Sequence, residues 1–396
     1  MRFLKMLPTI LSVVLLCSVV AISNNVNNKP DTSEKIMTVS NNYTEEMKGI
    51  WVTYMDLDMQ STDKSYDTFK SKFKKIANTS KEKGFNSLIV QVRPFCDALY
   101  KSSYFPYSHI LTGEQGKNPN YDPLKFMCKY THKLGMKIHA WVNPYRIKTT
   151  STPRVLHKSN PYMKNKNLGV KTDTGIYFNP ALQEAREIIE SGIKEIVENY
   201  DVDGIQFDDY FYPTQNESFD KKEYTAYTKT VGAGKALSLS QWRITNVNLL
   251  VAEVYNIIHS TKDNVQFGIS PQGNIDNDYN MYADVKNWCK KYGYIDYICP
   301  QLYYSIKSPI LSFPDALNQW TQLKYNKNVK LYIGIAGYKI GTNDDEGTWK
   351  LSDKILKNEV ELLRKKGASG VIFYSYSNLN SKVTAKEINN LTKVLV

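Results

Sequence analysis

From residue 48 onward the chain alternates two hydrophobic patterns. Short apolar runs rich in β-branched and aromatic residues are separated by longer stretches whose apolar positions recur every third or fourth place. The runs predict strands at 49–54 (GIWVTY), 87–93 (SLIVQVR), 137–143 (KIHAWVN), 203–208 (DGIQFD), 266–270 (QFGIS), 296–303 (DYICPQLY), 331–336 (LYIGIA) and 370–376 (GVIFYSY). The stretches between them carry helix signals: Asp122-Pro123 as N-cap and first turn with Gly135 at the end, Asn179-Pro180 opening an amphipathic run through Ile189, Ile193 and Ile196, and Thr384 with Glu387 as a capping box. Strand and helix in alternation mean βα units around a parallel sheet, and eight units predict an α/β fold, a closed (β/α)8 TIM barrel over 48–396. An open doubly wound sheet would want a glycine-rich turn after the first strand, where TYMDLD stands instead. Two connections are long, 144–179 after the third strand and 210–243 after the fourth, and both are expected on the catalytic face.

Alternation also sorts the side chains. The outer face of each strand must be apolar to meet the helices, whereas polar groups are tolerated inside. With Ile205 and Phe207 outward, Gln206 and Asp208 point inward; Leu88, Val90 and Val92 leave Gln91 and Arg93 inside; Ile138, Ala140 and Val142 leave His139, Trp141 and Asn143. The expected mouth is therefore Arg93, Asn143, Asp208, Gln272, Gln301 and Tyr303, with Trp141 beneath. Amides and carboxylates for hydroxyls, with aromatic faces for sugar rings, fit a carbohydrate.

Asp208 is the acid that this alternation puts at a strand end, where a carboxylate reads as catalytic in such a barrel. Glycoside hydrolysis needs a second carboxyl group, roughly 5 Å away for retention or roughly 6.5–9.5 Å for inversion. Asp208 is expected as nucleophile or base. The second group is open among Asp97, Asp209, Asp276, Asp345 and Glu346, with Asp97 preferred.

Other chemistries are not supported. The five histidines show no HExxH and no pairing with cysteines, so no metal and no cofactor are expected. Asp276, Asp278 and Asn280 have calcium-loop spacing, but Met281 occupies the place of the turn glycine. No GxSxG elbow is present.

Composition changes the picture in two ways. The formal charge of +12 becomes +10 once the two cations of 1–23, Arg2 and Lys5, are set aside, which favours an anionic partner such as a cell wall. A sequence pI of about 9.1 without a basic cluster in any recognisable motif gives no nucleic-acid reading. Residues 1–23 combine those cations with an apolar run at 7–22 and small residues near its end, as in a secretory signal; the run is short for a membrane span, and an uncleaved anchor is the alternative. Residues 24–47 are polar and aperiodic, a tether.

The segments MKGIWVTYMDLD, LIVQVRPFCDALY, HAWVNPYR, DVDGIQFDDYFYP, LSLSQWRITNVNLLV, FGISPQGNID, DYICPQLYY and GIAGYKIG, in this order, resemble the family-10 glycosyl-hydrolase-like domain of bacterial envelope proteins. The resemblance implies a (β/α)8 barrel with glycosidase activity in the cell envelope, on the glycan strands of peptidoglycan. It implies Arg93, Asp97, Asn143, Arg146, Asp208, Asp209, Gln301 and Tyr303 as site positions, to which Tyr210, beside the acid pair, is added. The expectation is a secreted, envelope-associated glycoside hydrolase with a polysaccharide substrate. A non-catalytic carbohydrate-binding barrel held on the wall is the alternative, and a second carboxyl group close to Asp208 separates the two.

Overall fold

The computed structural model describes residues 45–232 and 234–396. The expected signal segment 1–23 and nearly all of the expected tether lie outside the described residues.

Eight parallel strands close into a barrel in chain order: Met47–Val52, Ser87–Arg93, Lys137–Val142, Gly204–Phe207, Gln266–Ile269, Tyr297–Ile298, Lys330–Ala336 and Gly370–Tyr374. The first pairs with both the second and the eighth, which completes the ring. Each strand is followed by helical structure that covers its apolar outer face, as alternation requires. The first strand begins at Met47, inside the expected tether. The sixth is much shorter than expected. Pro300 has no N–H to give to a ladder, so beyond Ile298 only isolated bridges continue, from Gln301 to Gln272 and Gly334.

Two cores result. A large one lies between strands and helices, and a small one fills the barrel with Trp51, Ile89, Trp141, Tyr297, Tyr332 and Ile372. The barrel is thus a packed floor beneath the mouth. Cys96, Cys128, Cys289 and Cys299 are free and buried. Among the described residues no helix is long and apolar enough to cross a membrane.

Helix punctuation is partly as expected. The Asp122 side chain accepts from Lys125 N and caps Pro123–Lys133. Asn179 instead caps a turn, accepting from Ala181 N, and the helix starts at Gln183. Thr384 and Glu387 form no capping box: Glu387 reaches across to Leu356 N at the start of the preceding helix.

Both long connections follow the C-terminal ends of their strands. The first folds into a three-stranded antiparallel sheet, Arg146–Thr149, Gly169–Thr172 and Gly175–Phe178. The second is pinned by Arg243, whose Nε donates to Asp220 Oδ2 at 2.9 Å while Nη1 donates to the Tyr282 hydroxyl at 2.9 Å. Both charges are fully buried, so the pair holds the loop only because the geometry is bidentate and further acceptors, the Gln215 and Asn216 carbonyls, take the remaining donors.

Candidate active site

The fourth barrel strand ends at Phe207, whose carbonyl accepts the last ladder bond from Ser270 N, and Asp208 and Asp209 follow at the mouth. Beyond the ladder the strict alternation lapses, and both acids enter the site. Asp208 leans toward the third strand: its Oδ2 accepts from Trp141 Nε1 at 3.2 Å and from Asn143 Nδ2, and its Oδ1 from Tyr210 N at 3.3 Å. Asp209 leans the other way and accepts from Gln272 Nε2 and, at 3.3 Å, from Gln301 Nε2.

These donors are themselves oriented. Gln91 Nε2 donates to Asn143 Oδ1 at 2.7 Å, which turns the Asn143 amide nitrogen to Asp208, and Gln91 Oε1 accepts from Tyr54 N at 3.1 Å. Gln301 Nε2 also donates to Ser270 O at 3.0 Å. Side chains of the second and third strands thus orient Asp208, and residues just past the fifth and sixth hold Asp209.

Burial pushes the Asp208 carboxyl up to about 7, and the neighbouring Asp209 charge adds to it; the Arg146 cation, Trp141 and the Tyr210 N–H oppose. Asp209 is also raised by burial, against its own backbone N–H, Gln301, Gln272 and Arg146. Two buried carboxyls side by side hold one proton between them more readily than none, so the pair titrates as a unit. Arg146 stands over it, its guanidinium 5.2 Å from the Tyr210 ring centre and 5.1 Å from that of Phe95, with Nε donating to Pro94 O at 2.9 Å. Such a pair offers an acid and a base in one cleft, the requirement for splitting an acetal. Among the described residues no group of three or more His, Cys, Asp and Glu is arranged to hold a metal ion.

The model of the glycosyl hydrolase-like 10 family matches residues 46–350. The chain belongs to that family. Glycosyl hydrolase YngK of Bacillus subtilis is 34% identical over 85% of this chain and 69% of its own length, and glycosyl hydrolase DigH of Escherichia coli K12 is 31% identical over 96% and 94%. Two solved structures share the fold at 11% identity each. The catalytic domain of Paenibacillus polymyxa β-amylase aligns with a TM-score of 0.57 over 89% of this chain and 100% of its own. The PgaB glycoside hydrolase domain of Bordetella bronchiseptica aligns with 0.56 over 87% and 98%. The chain is accordingly a glycoside hydrolase of the TIM-barrel kind.

Within this family-10-like barrel, two expected site residues stand elsewhere. Arg93 does not reach the mouth. The pairing of the second and third strands shifts from Gln91 opposite Trp141 to Arg93 opposite Val142, so Val92 is an extra residue and Arg93 turns outward with Val142. Its guanidinium lies 4.5 Å from the Phe105 ring centre, under helix Gln183–Asn199, where a Cβ at Gly192 would strike Phe105 and Arg93 Nη1. Asp97 is not a partner of Asp208 either. It is fully buried, and its Oδ2 accepts from His109 Nδ1 at 3.2 Å and Gln115 Nε2 at 3.0 Å.

The other carboxyls left open by the sequence also fall away. Asp276 and Glu346 are exposed. Asp345 ties loops together, accepting from Ser305 N, Trp349 Nε1 and Lys339 Nζ; despite burial, these bonds hold it below its ordinary value. The stretch with calcium-loop spacing, set aside for want of a turn glycine, is a helical turn, Ile275–Asn280.

Alternation passed over several neighbours of the pair. Tyr303 stands at the mouth as expected, but within an aromatic wall: its ring centre is 5.7 Å from those of both Tyr338 and Tyr374. Burial raises the Tyr374 hydroxyl, and the charges of Asp56, Asp208 and Asp209 add to that, which locates this ring beside the acids. With Val371 and Phe373 outward, Tyr374 follows from the alternation of the eighth strand. Asp278 has no such signal; it is buried behind Gln272.

Proposed function

We propose that this enzyme is exported and hydrolyses glycan strands of the bacterial cell wall, with Asp208 and Asp209 performing the acid–base chemistry. The observation that carries the proposal is the pair itself: adjacent buried carboxyls, one oriented by Trp141 and Asn143, the other by Gln272 and Gln301. Asp208 is the acid. Its Oδ2 accepts from two side-chain donors whereas Oδ1 accepts only the longer bond from Tyr210 N, so Oδ1 is the oxygen that carries the proton and passes it to the glycosidic oxygen. Asp209 stays ionised and either attacks the anomeric carbon or takes a proton from the attacking water. This reverses the part expected for Asp208 from strand alternation, because burial favours its protonated form. Arg93 and Asp97 have no part in the chemistry; Trp141, Asn143, Arg146, Tyr210, Gln272, Gln301 and Tyr303 orient the acids or meet the sugar.

The wall as substrate is supported by the +12 formal charge, by the signal-like run at 7–22, and by relatives in two bacteria whose names call them glycosyl hydrolases. The test is incubation with purified wall glycans, with and without stem peptides, followed by mass analysis of products. New reducing ends from the wild type and none from Asp208→Asn are expected. Wall glycans left intact by an enzyme that cleaves other polysaccharides would overturn the substrate reading.

A further inference from the structure

A cleft of about 870 Å³ lies beside the acid pair, walled by the loops after the first, second and third barrel strands. That volume is in the range of a small-molecule or oligomer site. It adjoins the acids through packed rings: Arg146, which faces both acids, stacks on Phe95, and the Phe95 ring centre lies 5.4 Å from that of Tyr54 and 5.6 Å from that of His109, both of which line the cleft.

The lining has two characters. Met55 and Val155 are exposed by 62% and 78%, apolar groups presented to solvent at the rim with Tyr54 beside them. The deeper wall is polar and rigid. Asp97, fully buried, fixes His109 Nδ1 and Gln115 Nε2, and Gln115 Oε1 accepts from His157 N at 2.9 Å. His109 lines the cleft, and its Nε2 is buried without a partner among the described residues, a costly state that a polar partner would relieve. A pyranose unit has complementary surfaces, with C–H faces for the apolar rim and hydroxyls for the polar wall. The charged residues of the lining, Asp58 and Glu114 against Arg154 and Lys158, balance, which favours a neutral sugar over an acidic one.

We propose that this cleft is a distal subsite for neutral saccharide units of the substrate chain, so that the enzyme grips a polymer beyond the bond it cuts. The inference rests on the glycan reading above and extends it: Asp97 and His109 serve length recognition rather than bond cleavage. A substrate long enough to reach the cleft binds more tightly than one confined to the acids.

The experiment uses β-1,4-linked N-acetylglucosamine oligomers, dimer and hexamer, with calorimetry on the Asp208→Asn protein and hydrolysis by the wild type. The hexamer is expected to bind at least ~10-fold more tightly than the dimer, about 1.4 kcal/mol. His109→Leu should abolish that gain and leave dimer affinity unchanged. Because His109 contacts buried Asp97, the exposed pair Met55→Ala with Val155→Ala provides a variant without folding risk, and it should reduce the gain several-fold. A hexamer no tighter than the dimer, or a gain untouched in both variants, overturns the subsite. Tight hexamer binding without hydrolysis of any glycan would instead overturn the proposed reaction and leave the subsite standing.

Discussion

Asp278 accepts the backbone N–H of Gln272 at 2.8 Å, and the side chain of that same Gln272 donates to Asp209. A carboxyl that touches no substrate therefore sets the place from which an amide reaches the acid pair. Asp278→Ala frees the Gln272 backbone and is expected to lower kcat about 10-fold, on the order of 1.4 kcal/mol of barrier. Asp278→Asn keeps an acceptor at the same position and should restore most of the rate. Equal losses in the two variants would mean that Asp278 acts by its own titration and not by positioning.

The division of labour between the acids separates by leaving group. An aryl glycoside with an acidic phenol leaves without protonation, so Asp208→Asn should lose at least ~10³-fold on wall glycan but far less on the activated substrate. Asp209→Asn should lose comparably on both, since the base or nucleophile is needed in each. Kinetics of the two variants on the two substrates decide it; an Asp208→Asn protein equally impaired on both returns Asp208 to the role of nucleophile or base.

How much of this was legible beforehand depended on where regular geometry stopped. All eight barrel strands follow from alternation, because each must be apolar toward its helix. The apolar run overextends the sixth because Pro300 interrupts the ladder, a local effect that hydrophobic patterning does not register. Alternation puts Arg93 at the mouth, but one extra residue, Val92, reverses its direction, and a bulge leaves no mark in an apolar run. Alternation points Asp209 away from the mouth, but the strand ends at Phe207, and the next two residues are released from the two-residue period. Asp97 looked catalytic by its place after the second strand, yet its partners His109 and Gln115 lie beyond it in the same loop, a contact only folding creates.

The acid role of Asp208 has a pH signature. The rate should fall as pH rises through about 7, where the burial-raised carboxyl loses its proton. Arg146 opposes that rise, since a cation favours the ionised form. Arg146→Gln should move the alkaline limb of kcat to higher pH, while Arg146→Lys, keeping the charge, should leave it nearly in place. A limb that does not move in the Gln variant would show that the titrating group is not the acid pair.

Deep in the barrel, His139 Nδ1 meets the Tyr297 hydroxyl at 3.0 Å, and that hydroxyl also donates to Gln206 Oε1 at 3.2 Å. The ring is fully buried, and burial pulls its pKa down to about 4. An unfolded chain binds the same proton near pH 6.5. Between those values the unfolded state holds a proton that the native state refuses, so the contribution of His139 falls by about 1.4 kcal/mol per unit as pH drops from about 6.5 to 4, on the order of 3 kcal/mol in total. Carboxyls raised by burial, Glu190 to about 8 and Glu387 to about 7, act oppositely: each costs stability as pH rises from the unfolded value through the folded one. The whole protein's pH profile therefore mixes both signs, and the difference between wild type and His139→Gln isolates one. Denaturant unfolding at several pH values should show the wild type losing stability relative to the variant throughout the interval from about 6.5 to 4, and neither gaining on the other above about 7. Parallel profiles across the acid range would mean that water or local opening admits the proton to His139 in the native state.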